Sequence, residues 1–194
     1  KIHSAISQNC KIEFKYYEWV VDSASPRLFE KSWRQGGKPY RVSPWALVWD
    51  SEYYYLVAYD SVAAILKHYR VDKMEAVTLL ADARDGRALF EKEDLAAYTR
   101  RTFGMFGGEE TDVKIRFANR LINVVVDRFG KDIRIQRVDA AHFNVTLRVV
   151  VSAPFIAWLL SFGNEAEVLA PAHLLGEINA TLAALEKVYQ KQAE

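Results

Sequence analysis

Residues 10–16 alternate apolar and charged, with Cys10, Ile12, Phe14 and Tyr16 set against Lys11, Glu13 and Lys15. Period two predicts a half-buried strand, because successive strand side chains point to opposite faces. Residues 2–8 read as the end of a helix or an entry segment. Residues 22–39 are rich in Ser, Lys, Gly and Pro and carry the pair Gly36-Gly37, which predicts a long hairpin connection. The strand pattern resumes at Tyr40-Arg41-Val42, passes Pro44 and runs through Ala46-Leu47-Val48-Trp49. A turn over 50–52 leads into residues 53–60, a run of aromatic and β-favouring types. Residues 64–71 and 74–80 predict two further strands. Short strands joined by short turns predict a small β-barrel that buries its edges by closing on itself.

The pattern changes after residue 82. Residues 92–101 predict a short helix, with Glu91, Glu93 and Asp94 around its first turn and Arg100 and Arg101 in its last. That polarity suits the helix dipole. The glycine-rich stretch 103–108 predicts a domain boundary. Beyond it Val113, Ile115 and Phe117 alternate with Lys114 and Arg116 as a strand, and Leu121, Ile122, Val125 and Val126 fall at helical spacing. Residues 133–138 and 143–151 predict paired strands, 155–161 a short helix running out at Gly163, 167–169 a last strand and 171–190 a long amphipathic helix. The order β-α-β-β-α-β with a terminal helix predicts a ferredoxin-like arrangement. The expected fold class is α+β: a barrel over residues 1–82, a linker with a short helix over 83–110, and a ferredoxin-like domain over 111–194.

Composition adds bounds rather than chemistry. The chain has 194 residues, room for one large domain or two small ones. A formal charge of +1 gives no bulk electrostatic reason to bind nucleic acid, although a local basic patch can sit on a neutral protein. One cysteine, Cys10, excludes a disulfide framework within the chain and suits a reducing compartment. No apolar stretch reaches the ~18–20 residues of a membrane-spanning helix. The opening Lys1-Ile2-His3 is no signal peptide and lacks an initiator Met, which reads as processing or truncation.

One constellation concentrates candidate chemistry. Tyr40-Arg41-Val42-Ser43-Pro44, Tyr54-Tyr55-Leu56 and Lys67-His68-Tyr69-Arg70-Val71-Asp72-Lys73 lie on neighbouring predicted strands. Arg70 can grip a phosphate or carboxylate through two parallel charge-assisted hydrogen bonds, Lys67 and Lys73 add charge, and tyrosines offer stacking faces. The same residue types also suit a solvated strand whose tyrosines pack into a core.

The stretch 40–74 resembles the WYL domain. Tyr54 stands where that family usually has Trp, Tyr55 and Leu56 match, and Arg70-Val71-Asp72-Lys73-Met74 matches its Arg-x-Asp-Arg-Ile type tail with Lys73 in place of Arg. Residues 113–117, and above all 158–171 followed by Leu174-Leu175 and Glu177-Ile178, resemble the C-terminal extension (WCX) that often follows a WYL domain. The resemblance implies an Sm-like or SH3-like barrel that senses an effector in a bacterial transcription regulator, with the extension tied to dimer assembly or effector contact. It implies a cytoplasmic homodimer that meets promoter DNA through an N-terminal helix-turn-helix, which these residues do not contain. The expected ligand is anionic, a nucleotide or single-stranded nucleic acid, held by Tyr40, Ser43, Tyr54, Tyr55, Lys67, His68, Arg70 and Lys73.

Among the basic residues of the second half, Lys114, Arg116, Arg134 and Arg148 form a possible secondary surface for nucleic acid or an acidic partner, or an ordinary charged sheet face. His3, His68, His142 and His173 are scattered without metal-ligand spacing, so no metal site is expected. No Gly-x-Ser-x-Gly elbow, P-loop or dinucleotide fingerprint occurs, and neither an enzyme nor a cofactor is expected. The rival to a transcription regulator is a nucleic-acid-binding accessory module of a defence or CRISPR-associated system.

Overall fold

The structure is a computed structural model that describes residues 1–24, 27–50, 52–92, 95–105 and 108–190. Ser51 of the predicted turn, Glu93 and Asp94 of the predicted helix start, and Phe106 and Gly107 of the predicted boundary lie outside the described residues. The chain divides into two compact units, Lys1–Leu95 and Ala96–Glu194.

The first unit opens with helix α1 (Ile2–Ser7) and continues through β1 (Cys10–Val21), β2 (Phe29–Trp33), β3 (Tyr40–Asp50), β4 (Tyr53–Asp60), β5 (Ile65–Arg70) and β6 (Met74–Ala83) to helix α2 (Arg87–Glu91). All strand pairings are antiparallel, in the order β2-β1-β3-β4-β5, with β6 on β1. The length of β1 allows this. Its first half pairs with β3 and β6, Ile12 meeting both Val42 and Leu79, and its second half pairs with β2. The alternation at Ile12 and Phe14 turns both inward, where they join Val42, Leu56, Ala58, Tyr69 and Met74 under Ile2 and Ala5 of α1. Pro44 has no N–H for the ladder, and the register slips by one residue between Pro44 and Ala46.

Two expectations change. Strand β2 lies inside the predicted hairpin connection, because Phe29 and Trp33 pack edge-on against Trp19 and Tyr17 at 5.3 and 5.8 Å between ring centres and hold the segment to β1. The predicted barrel does not close: β5 passes through the 3-10 turn Val71–Lys73 to β6, which pairs with β1 and not with β5, so the sheet curls into a half-barrel.

The second unit takes in helix α3 (Leu95–Arg101), β7 (Glu110–Ala118), α4 (Ile122–Phe129), β8 (Ile135–Arg137), β9 (His142–Val150), α5 (Ala153–Leu160), β10 (Ala166–Ala170) and α6 (Ala172–Gln190). The strands pair antiparallel in the order β10-β7-β9-β8. Val113, Ile115 and Phe117 of β7 and Phe143, Val145, Leu147 and Val149 of β9 face one way, onto Val125 of α4, Phe155 and Leu159 of α5 and Leu174 of α6. Helix α5 starts sharply because the Ser152 hydroxyl accepts a hydrogen bond from the Phe155 N–H at 3.4 Å. Phe103 and Met105, within the glycine-rich stretch, are buried, Phe103 tilted against Phe155 at 5.1 Å between ring centres.

Candidate functional site

The register of β3, β4 and β5 decides which predicted ligand residues can meet. Tyr55 pairs with Arg70, Leu56 with Tyr69, Val57 with His68 and Ala58 with Lys67. Directly paired residues share a face and neighbours along a strand alternate. One face therefore carries Tyr55, His68 and Arg70, joined by Tyr53 and Asp50, which pair across β3 and β4. The other face carries Leu56 and Tyr69, which belong to the core, and Lys67 beside them.

Arg70 is the fixed point of the first face. Its Nε and Nη2 donate to the two carboxylate oxygens of Asp72 at 3.1 and 2.8 Å, and its guanidinium carbon lies 3.4 Å from the centre of the Tyr53 ring. Its backbone N–H donates to the Tyr16 hydroxyl at 3.0 Å, which ties the end of β5 to β1. The hydrogen bonds to Asp72 raise the Arg70 pKa further, and those same bonds hold the Asp72 carboxyl below the usual carboxylate range. Burial pushes the Tyr55 phenol up, so it stays a neutral hydroxyl. The result is a guanidinium held on one edge and stacked on one side, with two of its five N–H groups committed to Asp72.

The remaining predicted residues lie elsewhere. Lys67 donates to Asp60 at 2.6 Å on the core face. Burial raises the Asp60 carboxyl, but Lys67 and the N–H groups of Ala63 and Val62 outweigh it and hold the pKa down. Tyr40 stacks on Phe14 at 5.6 Å and meets Tyr16 and Tyr69 edge-on. Tyr54 packs edge-on against Trp49 at 4.8 Å, on the face opposite Tyr55. Ser43 is fully buried and its hydroxyl accepts from the Asp85 N–H at 2.8 Å. Lys73 is half-buried at the end of the 3-10 turn.

Tyr55, His68 and Arg70 thus share a face, whereas Tyr40, Tyr54 and Lys67 belong to the opposite one. Tyr53 and Asp50 are absent from the sequence-predicted set. Their signal was parity alone: in a run of three tyrosines, the first and third share a face.

The second unit sorts its basic residues differently. Arg116 pairs with Glu167, and Arg148 with Glu110 at 2.8 Å. Lys114 and Arg134 line a cleft with Asn144 and Thr146. Among the described residues no helix is long and apolar enough to cross a membrane.

Together these features define a two-module protein of antiparallel sheets, with an arginine–tyrosine face on the first module and helices covering one side of the second. The WYL domain profile matches residues 1–79 and the WCX domain profile residues 109–185. The chain belongs to the WYL-domain family, in the form that joins a WYL domain to a WCX domain. No curated protein matches it. Among solved structures it is similar to proteasome accessory factor B/C (PafBC) of Arthrobacter aurescens, with 17% sequence identity and a TM-score of 0.37 over 92% of this chain. The match spans 25% of the length of that chain.

Proposed function

We propose that this chain is the effector-sensing and oligomerising part of a bacterial transcription regulator, and that its first unit binds an anionic ligand, a nucleotide or single-stranded nucleic acid. The observation that carries the proposal is the succession of a WYL and a WCX domain over residues 1–79 and 109–185. In this proposal residues 1–82 are a sensing module with Sm-like strand order whose sheet curls into a half-barrel, 83–110 a linker and 111–194 a ferredoxin-like extension. The order β5-β4-β3-β1-β6 supports the first assignment. The order β10-β7-β9-β8, with a helix after β7 and another after β9, supports the second.

Ligand contact centres on Arg70, Tyr55 and His68, with Tyr53 as a stacking surface. Lys73 adds charge from the 3-10 turn that follows β5, and Tyr40, Ser43, Tyr54 and Lys67 shape the sheet behind them. The protein acts as a cytoplasmic homodimer without catalysis, and promoter DNA is met by a domain outside these residues. The ligand shifts the regulator only by binding one of its two states more tightly.

The test is fluorescence anisotropy with short single-stranded DNA and RNA, and with competing mononucleotides, across a salt series. Two to three phosphate contacts give a log–log salt slope of about −1.4 to −2.1, at roughly −0.7 per contact for single strands. Absence of binding, or binding with no salt dependence, rejects the anionic-ligand proposal.

A further inference from the structure

The helices of the second unit cover one face of its sheet and leave the other to side chains of the opposite parity. On that open face Lys114 pairs with Thr146, and Arg116 with Asn144, which in turn pairs with Gln136. Arg116 and Arg148 are neutralised by Glu167 and Glu110. Lys114 and Arg134 are not: among the described residues neither has a carboxylate within ion-pair distance. Both line a cleft of about 500 Å³, together with Gln136, Asn144 and Thr146. Asn144 Oδ1 is buried there without a hydrogen-bond partner among the described residues.

These features point to a ligand with two kinds of group. Two unpaired cations beside one cleft favour an anion, and an arginine fork suits a phosphate. A buried amide oxygen without a donor is costly, and a ligand edge bearing an N–H group supplies one. Paired amides such as Asn144 and Gln136 match the edge of a nucleobase, as Asn and Gln do for adenine. Asp132, also in the lining, offers an acceptor to a sugar hydroxyl. The volume falls within the ~300–1,000 Å³ range of small-molecule sites. Among the described residues the open face of β7, β8 and β9 carries no Phe, Tyr or Trp, so it lacks the broad stacking platform that holds single strands. That favours a small molecule over a polymer.

We propose that the cleft formed by Lys114, Arg134, Gln136, Asn144 and Thr146 binds a phosphorylated compound of mononucleotide size. The site lies wholly within the second unit and does not depend on the ligand proposed for the first.

The test is isothermal titration calorimetry of the full chain with AMP, GMP, CMP and UMP, and with inorganic phosphate as the anion-only probe. In the Arg70→Ala chain, where the first unit's site is disabled, at least one mononucleotide is expected to bind one to one. Lys114→Ala and Arg134→Ala should each weaken it about ten-fold, the loss expected of a charged hydrogen bond. Asn144→Leu should change the ranking of the four bases, and Arg148→Ala, outside the cleft, should change nothing. The variants replace exposed side chains at positions 114 and 134, and circular dichroism checks that they remain folded. The proposal is overturned by no heat with any mononucleotide, or by binding that the Lys114→Ala/Arg134→Ala double variant retains in an Arg70→Ala background, where the first unit's site is disabled. Phosphate binding as tightly as the nucleotides, or binding abolished by Arg70→Ala in the first unit, overturns it equally.

Discussion

Replacing Arg70 with Ala separates what that side chain does for the fold from what it does for a ligand. In the fold it makes two hydrogen bonds to Asp72 and lies on Tyr53. The Arg70 and Asp72 side chains are 26% and 50% exposed, so solvent screens the pair, and its worth is about 0.5–1 kcal/mol. The stacked guanidinium adds about 0.5–1 kcal/mol. Arg70→Ala should therefore cost about 1–2 kcal/mol in urea unfolding followed by tryptophan fluorescence. Loss of charge-assisted hydrogen bonds to an anion costs about 1.5–3 kcal/mol, so affinity for a short single strand should fall between roughly 10- and 150-fold. Arg70→Lys keeps the charge without the planar fork and should fall between wild type and Arg70→Ala in binding. Undiminished oligonucleotide affinity in Arg70→Ala refutes the assignment. So does a stability loss far above 2 kcal/mol that accounts for the lost binding, because Arg70 would then be a structural strut.

Three further outcomes follow from the packing and the charges. Leu56→Ala empties a fully buried position in the centre of the first sheet and should cost about 2–5 kcal/mol in the same urea measurement. Gly86→Ala should destabilise by roughly 1–3 kcal/mol: Gly86 has φ +79°, and an added Cβ would lie 2.2 Å from the Tyr59 ring, so a thermal midpoint equal to wild type would contradict the local geometry. Asp72 and Asp60 both have depressed carboxyl pKa values in the folded state, so their contribution is fully present above the ordinary Asp value and is lost as pH falls through the depressed ones. The urea midpoint should drop between pH 6 and pH 3, and Asp72→Asn should flatten part of that drop.

Most of the strands were legible because their periodicity is strict. Ile12 and Phe14, or Val113, Ile115 and Phe117, repeat every second residue and are buried as that spacing requires. Strand β2 was not legible, since a segment with Ser32, Gly36, Gly37 and Lys38 reads as connection, and only the rings of Trp19 and Tyr17 across the gap give Phe29 and Trp33 a reason to extend. Closure of the barrel was beyond reach for a related reason. Strand count fixes neither whether the last strand meets the fourth nor how sharply the turn over Val71–Lys73 sends it to the first.

The candidate site was legible in its residue types but not in its geometry, and the cause is parity. Lys67 and Arg70 stand three residues apart on one strand, an odd spacing that sends their side chains to opposite faces. Pooling them as one cationic cluster treats nearness in sequence as nearness in space. Lys67 answers Asp60, whose partial burial demands a nearby cation; without it the carboxylate would sit desolvated beside the core tyrosines. Arg70 answers Asp72 and Tyr53, which leave its guanidinium held but accessible at the edge of the sheet. Of the two cations, only Arg70 has its local partner beside it on an exposed turn, where an incoming anion can compete for the guanidinium without stranding a buried charge. A ligand that drew on Lys67 would first have to expose Asp60, and that asymmetry makes Arg70 the better placed of the two cations for the proposed ligand.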